Sequence, residues 1–253
     1  MLNVHRLTKY FSELKAVDNL TFSVNEGEVF GLLGPNGAGK TTTIKMIIGM
    51  LDPSDGEIRV NGLDVSESPI EIKKRIGYVP EDCSLYENLT AREYLNLVGN
   101  LHHLSPERIG SQIDRLMKSL DLEDAIDRRM TGYSKGMKQK ILLVSALLHN
   151  PALIIMDEPF TGLDSNTAAV FKQLIGQLVR GGKTVIFSSH VLEVVEKLCG
   201  RLLIIHEGRK LAAGTVDEVN AQAGEKTLVE AFSRLTGVTD VESRAADILD
   251  ALD

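Results

Sequence analysis

Gly34-Pro35-Asn36-Gly37-Ala38-Gly39-Lys40-Thr41 reads G-x-x-x-x-G-K-[ST], the pattern of a phosphate-binding loop. The apolar run Glu28-Val29-Phe30-Gly31-Leu32-Leu33 before it predicts a buried strand. Thr42-Thr43-Ile44-Lys45-Met46-Ile47-Ile48 after it has helical spacing. That strand–loop–helix context is what the motif requires. Gly34, Gly37 and Gly39 leave backbone N–H groups free to wrap an anion, and a helix starting near Gly39 adds its positive end. Lys40 supplies a mobile charge for the β- and γ-phosphates, and the Thr41 hydroxyl a ligand for Mg²⁺. Asn36 and Thr42 complete the expected nucleotide-binding set.

Upstream, Leu2 to Leu7 and Leu20 to Val24 alternate as strands, and Asn25-Glu26-Gly27 turns the chain into the loop strand. Glu57 to Gly62 reads as another strand after the turn Asp52-Pro53-Ser54-Asp55-Gly56. Turns, not helices, separate these strands, which predicts an antiparallel patch. Arg75 to Pro80 is a short strand halted by proline. Strand signals then lapse. Thr90-Ala91-Arg92-Glu93 is a capping box, and Ser105-Pro106-Glu107 starts a second helix with Ile109, Ile113, Leu116, Met117 and Leu120 on one face. Residues 85–150 therefore read as a helical insertion. Strands resume at Leu153 to Asp157 and Thr184 to Ser189, alternating with helices over Thr167 to Leu178 and Val191 to Leu198. Arg201 to Ile205 and Arg209 to Ala213 form a hairpin. The whole predicts an α/β fold: a P-loop NTPase core with a mostly parallel sheet, an N-terminal antiparallel β patch and an inserted α-helical subdomain. The domain is expected over 1–237, with an acidic helical tail over 238–253.

The strand Leu153 to Met156 ends in Asp157-Glu158-Pro159, two adjacent acids. Beside a P-loop, Asp157 fits the shell of the Mg²⁺, and Glu158 is placed to orient or deprotonate an attacking water. Tyr133-Ser134-Lys135-Gly136-Met137-Lys138-Gln139 precedes an apolar helix. From the residues alone it is either a second anion site at a helix N-terminus or an ordinary cap by Ser134. His190, read alone, is a capping or surface histidine.

Composition sets outer limits. The chain has 253 residues, 43% hydrophobic and 25% charged, ordinary globular values. Cys83 and Cys199 match no disulfide framework or metal spacing, which points to a reducing, cytoplasmic setting. A net charge of −7 with no basic stripe argues against nucleic acid as partner. Met1 to Phe11 lacks a signal-peptide core, and the longest apolar-rich run, Ile141 to Leu148, is far short of the ~20 residues that cross a bilayer. Any membrane role is expected through a partner.

In order, these motifs resemble those of ABC-transporter ATPase subunits across nearly the whole chain. The resemblance implies a Q-loop position at Glu81, a signature at Tyr133–Gln139, a D-loop at Thr161-Gly162-Leu163-Asp164 and a switch histidine at His190. It implies ATP and Mg²⁺ as cofactors and a head-to-tail dimer with a second ATPase subunit, a homodimer or a heterodimer. Ser134 and Gly136 of one subunit would reach the γ-phosphate held by the other. His190 would bond the same phosphate, Asp164 would link the two sites, and Phe11, or Tyr10 next to it, would stack on adenine. An integral-membrane permease is the implied partner, holding the subunit on the cytoplasmic face of the membrane by a groove near Glu81 to Leu89. Two departures stand out: the usual L-S-G-G-Q is Tyr133-Ser134-Lys135-Gly136-Met137, and the usual Gln is Glu81, whose carboxylate can ligate Mg²⁺. Both, with the tail Leu228 to Gly237, resemble the bacterial branch that exports drugs, ions or lipids. A soluble ABC ATPase of ribosomes or DNA fits less well, since the chain is acidic and has a single ATPase domain. A nucleotide-binding regulator with little turnover is the third reading, and intact Lys40, Asp157, Glu158 and His190 argue against it.

Overall fold

A computed structural model describes residues 1–237. The acidic tail expected over 238–253 lies outside the described residues. Two sheets stack around the P-loop helix. The first is antiparallel, in the order β2-β1-β4-β5, from β1 (Leu2–Phe11), β2 (Leu14–Val24), β4 (Asp55–Val60) and the short β5 (Leu63–Asp64). The second runs β10-β9-β3-β8-β7-β6, from β3 (Val29–Leu33), β6 (Ile76–Val79), β7 (Leu153–Met156), β8 (Thr184–Ser189), β9 (Arg201–His206) and β10 (Arg209–Gly214). It is parallel except for the terminal β9–β10 hairpin.

The central strands are buried on both faces, and their side chains divide by parity. Phe30, Leu32, Leu153, Ile155, Leu203 and Ile205 meet the antiparallel sheet and helix α1 (Lys40–Ile47) in one core. Leu33, Ile154, Met156, Leu202 and Ile204 face the other way, onto α6 (Ser165–Arg180), α7 (Leu192–Leu198), α8 (Val216–Ala223) and α9 (Leu228–Thr236). The parallel sheet expected from the strand and helix alternation is the one observed.

Between β6 and β7 lie α3 (Ala91–Leu101), α4 (Pro106–Ser119) and α5 (Lys135–Leu147), around their own core of Leu95, Ile109, Ile113, Met117, Ile141 and Val144. Thr90 and Glu93 close a reciprocal capping box on α3, and Ser105 caps α4. Helix α5 belongs to two cores. Ile141, Val144 and Leu148 beyond its end face the insertion, while Leu142, Leu143 and Ala146 face the central sheet. Gly77 of β6 packs on this helix so closely that a Cβ there would collide with the Ala146 carbonyl.

Several elements differ from the sequence expectation: β2 begins at Leu14 and not at Leu20, and the short β5 has no counterpart in it. Strand β1 continues past Leu7 to Phe11 and turns back into β2 at Ser12-Glu13. Register shifts between Val4 and Leu7, Leu7 and Lys9, and Lys9 and Tyr10 break the period of two, which hides the strand's second half. A short helix, α2 (Pro69–Lys73), follows β5, too brief to show a periodicity.

The insertion is also joined to the core by a histidine pair. His102, just after α3, stacks on His149, just after α5, with ring centroids 3.7 Å apart and planes 7° apart. His149 Nε2 lies 3.1 Å from the Ile76 carbonyl of β6. Burial, then the neighbouring His102, lowers the His149 pKa from 6.5 to about 4. The unfolded chain therefore takes up this proton before the folded one does. The His149 contribution to stability is complete above pH 6.5 and is lost as pH falls towards 4. Denaturant unfolding at stepped pH should show this decline, and His149→Phe, which keeps a stacking ring, should flatten it. An unchanged slope in the variant would remove His149 as its source.

Candidate active site

The loop after β3 is shaped by two backbone approaches and one open position. A Cβ at Gly34 would collide with the Ile205 carbonyl, and one at Gly39 would stand 2.6 Å from the Ala16 carbonyl. Gly37, at φ +79°, has nothing near it. Gly37 and Gly39 line a cleft of about 410 Å³, but Gly34 lies buried beneath it. From the motif, Gly34 is expected to help open backbone N–H groups to phosphate. Its place instead is under Lys40, whose Nζ donates to the Gly34 carbonyl at 2.8 Å and the Pro35 carbonyl at 3.2 Å. Among the described residues no side chain caps α1, and its first turn holds no acid. Its leading N–H groups therefore face the cleft under a favourable dipole for an anion.

The cleft brings together Phe11, Asn36, Gly37, Gly39, Lys40, Thr41, Thr42, Glu81 and Glu158 from the expected set. Phe11 sits at the tip of the β1–β2 hairpin, 46% exposed, and lines the cleft, whereas Tyr10 does not. Leu14 and Ala16 of β2 also line it. No motif marks them; they arrive there because β1 extends into the hairpin.

Asp157 and Glu158 follow β7 directly. The Asp157 N–H donates to the Val79 carbonyl at 2.8 Å, which ties the end of β7 to the end of β6 and so to Glu81. Asp157 is only 1% exposed. Ser188 of β8 holds both acids: its hydroxyl donates to Asp157 Oδ1 at 2.5 Å and accepts from the Glu158 N–H at 2.8 Å. Asp157 Oδ2 is buried with no hydrogen-bond partner among the described residues. Glu158 has φ +46°, a strained value for a non-glycine residue. From this turn its Oε1 lies 3.3 Å from Lys40 Nζ and its Oε2 2.9 Å from His190 Nδ1. His190 thus reaches the site through Glu158. Ser188 was not singled out in the sequence, although a hydroxyl inside the fully buried run Thr184–Ser189 is the signal that marks it.

Three expected residues gather elsewhere. Ser134 caps α5, its Oγ accepting from the Met137 N–H at 3.2 Å. A Cβ at Gly136 would lie 3.7 Å from Asp164 Oδ2, so the start of α5 adjoins the start of α6. Asp164 caps α6 through the Asn166 and Thr167 N–H groups and accepts from the Thr167 hydroxyl. The Thr167 N–H and then its hydroxyl hold the Asp164 carboxyl below the ordinary carboxylate range. None of the three lines the P-loop cleft.

A glycine-rich loop feeding a helix, a lysine within it and paired acids at the end of a parallel strand of the same sheet define a nucleotide-binding P-loop hydrolase. Residues 17–161 match the family model described as ABC transporter. The chain is 42% identical over 207 residues to the ABC transporter ATP-binding protein NatA of Bacillus subtilis, covering 81% of this chain and 84% of that one. It is 37% identical over 223 residues to the daunorubicin resistance ATP-binding protein DrrA3 of Streptomyces coeruleorubidus, covering 88% of this chain and 71% of the other. Among solved structures it is similar to an ATP-binding cassette in a dimeric post-hydrolysis state with ADP and Pi bound. That match has a TM-score of 0.78 and 26% identity, over 85% of this chain and 98% of that one. The chain belongs to the ATP-binding subunits of ABC transporters, and it is an ATPase.

Ser188→Ala should remove one bond from a buried carboxylate and one from the Glu158 N–H. The expected cost is about 1–3 kcal/mol in denaturant unfolding and about 10–100-fold in ATPase rate. Wild-type stability together with wild-type turnover would show that Ser188 does not hold the acids.

Proposed function

We propose that this chain works as one of two like copies which close on ATP and drive a separate integral-membrane permease, in the direction of export. One observation carries the reading. The nucleotide cleft and the Ser134–Gly136–Asp164 cluster are separate places on one chain. Two copies placed head to tail complete two sites, each from one cleft and one cluster. The similar cassette that is dimeric with ADP and Pi supports the pairing. The daunorubicin resistance relative supports the direction, as do the variant residues of the signature. Among the described residues no helix is long and apolar enough to cross a membrane. Exposed Tyr86, Leu97 and Leu101 on the insertion suit a docking helix next to Glu81.

In this scheme the α1 N–H groups and Lys40 hold the β- and γ-phosphates, and Phe11 packs on the base. Thr41, Asp157 and Glu81 are the oxygen donors for Mg²⁺, and the unpartnered Asp157 Oδ2 fits that task. Mg²⁺ held by these residues would supply positive charge to offset that of the phosphates. Lys40 exchanges its contact with Glu158 for phosphate. Glu158 then accepts the proton of the attacking water at a carboxylate oxygen, held in place by His190 and by the Ser188 bond to its N–H. Ser134 and Gly136 of the second copy reach the γ-phosphate and exclude water. Release of products reopens the pair.

Glu158→Gln should keep ATP binding, lose about 100-fold or more in turnover and accumulate an ATP-bound dimer on size-exclusion chromatography. Turnover at the wild-type rate would remove Glu158 as the base.

A further inference from the structure

The P-loop cleft is short of positive charge. Its charged lining residues are Glu81, Glu158 and Lys40, with Asp157 buried behind. Lys40 already contacts Glu158 at 3.3 Å. Glu81 is exposed, has Asp82 beside it, and makes no ion pair or hydrogen bond among the described residues. A triphosphate adds several negative charges to this surface, more than one Mg²⁺ offsets. Within one copy, then, Glu81 is an acid facing an anion, which costs energy unless a cation comes from elsewhere.

The separate cluster carries an unused cation. Lys135 is the first residue of α5, between Ser134 and Gly136, in a first turn that holds no acid. A lysine there opposes the helix dipole. The other lysine of that turn, Lys138, is taken by Glu87 at 2.6 Å. Lys135 is exposed and makes no ion pair or hydrogen bond among the described residues. Its ammonium lies over Gly162, where a Cβ would stand 2.5 Å from Nζ, so the side chain runs along the loop before α6. The nearest acid of that loop, Asp164, already accepts three bonds at the start of α6. Both residues are departures from the family pattern, one lines the cleft and the other stands in the separate cluster, and their charges are opposite.

We propose that Lys135 of one copy pairs with Glu81 of the other when the two close over ATP. The proposal rests on the head-to-tail reading above. In it Lys135 is a positioning residue: it neutralises Glu81 beside the terminal phosphate and adds two ion pairs to the closed dimer, one per site. The pair forms only on closure, so it favours the closed state without strengthening nucleotide binding to a single copy.

The test is the ATP-dependent dimer constant in the Glu158→Gln background, read by sedimentation, with Glu81→Gln, Lys135→Gly and both added. Each single change should weaken the dimer about tenfold, since two pairs are lost, and the double variant should be no weaker than either single. Lys135→Arg should keep the wild-type constant, and high salt should erase the differences. Mixing Glu81→Gln chains with Lys135→Gly chains rebuilds one complete pair per mixed dimer, so the mixture should associate about threefold more tightly than either parent. Additive losses would overturn the pairing, as they would mean that Lys135 and Glu81 act on the dimer independently of each other. No gain on mixing would overturn it in favour of a contact within one chain. If the background protein forms no dimer with ATP at all, the head-to-tail reading itself fails, and the pairing with it.

Discussion

A buried carboxylate at the end of β7 is the constraint on which the site depends. Asp157 is almost wholly removed from solvent, directly after β7, a strand flanked by β8 and the edge strand β6. Placing a charge there is costly unless it is hydrogen-bonded. Ser188 meets part of that requirement on one oxygen, and the other has no hydrogen-bond partner among the described residues. The same hydroxyl accepts from the Glu158 N–H, so one side chain of β8 fixes both acids of β7. Because β8 lies between β7 and the P-loop strand β3, the acids stand at a set distance from Lys40. The order of the strands thus produces the chemistry: β3 brings the lysine, β7 the acids, and β8 between them the bond that holds the acids in place.

Helix α5 transmits the consequences outwards. One face completes the core of the insertion and the other packs on the central sheet. Its first turn presents Ser134, Lys135 and Gly136, while its last turn rests against Gly77 of the strand that leads to Glu81. A rigid helix packed on both sides cannot shift at one end alone. Movement of the insertion is therefore coupled to the Glu81 loop at one end and to the start of α6 at the other. The stacked His102 and His149 rings join the same parts without a covalent link.

Much of this was legible in the sequence, because the informative residues act locally. The P-loop, the paired acids and the caps at Thr90, Ser105 and Ser134 are each set by residues within one turn of each other. What escaped depends on distant chain segments or on broken periodicity. Strand β1 was cut short because its bulges interrupt the alternation. Leu14 and Ala16 reach the cleft only through that longer hairpin. Ser188 matters for a partner 31 residues away, and Gly34 for the carbonyl of Ile205 on a strand far along the chain. No window of sequence contains either pair.

The arrangement around Lys40 explains why one carboxylate can be both well held and reactive. Lys40 is almost fully buried and touches two backbone carbonyls and Glu158. Its charge is shared between neutral dipoles, which remain wherever it moves, and an acid, which it can exchange for another anion. A phosphate at the start of α1 is such an anion, and the helix dipole already favours it there. In the proposed mechanism, drawing the ammonium towards phosphate takes it from Glu158 and uncovers Oε1 as a hydrogen-bond acceptor for water. The His190 contact and the Ser188 bond to its N–H keep the group aimed while this happens. Arrival of substrate and the release of Glu158 Oε1 would thereby be linked through one side chain, the oxygen being uncovered at the moment a water has to be held.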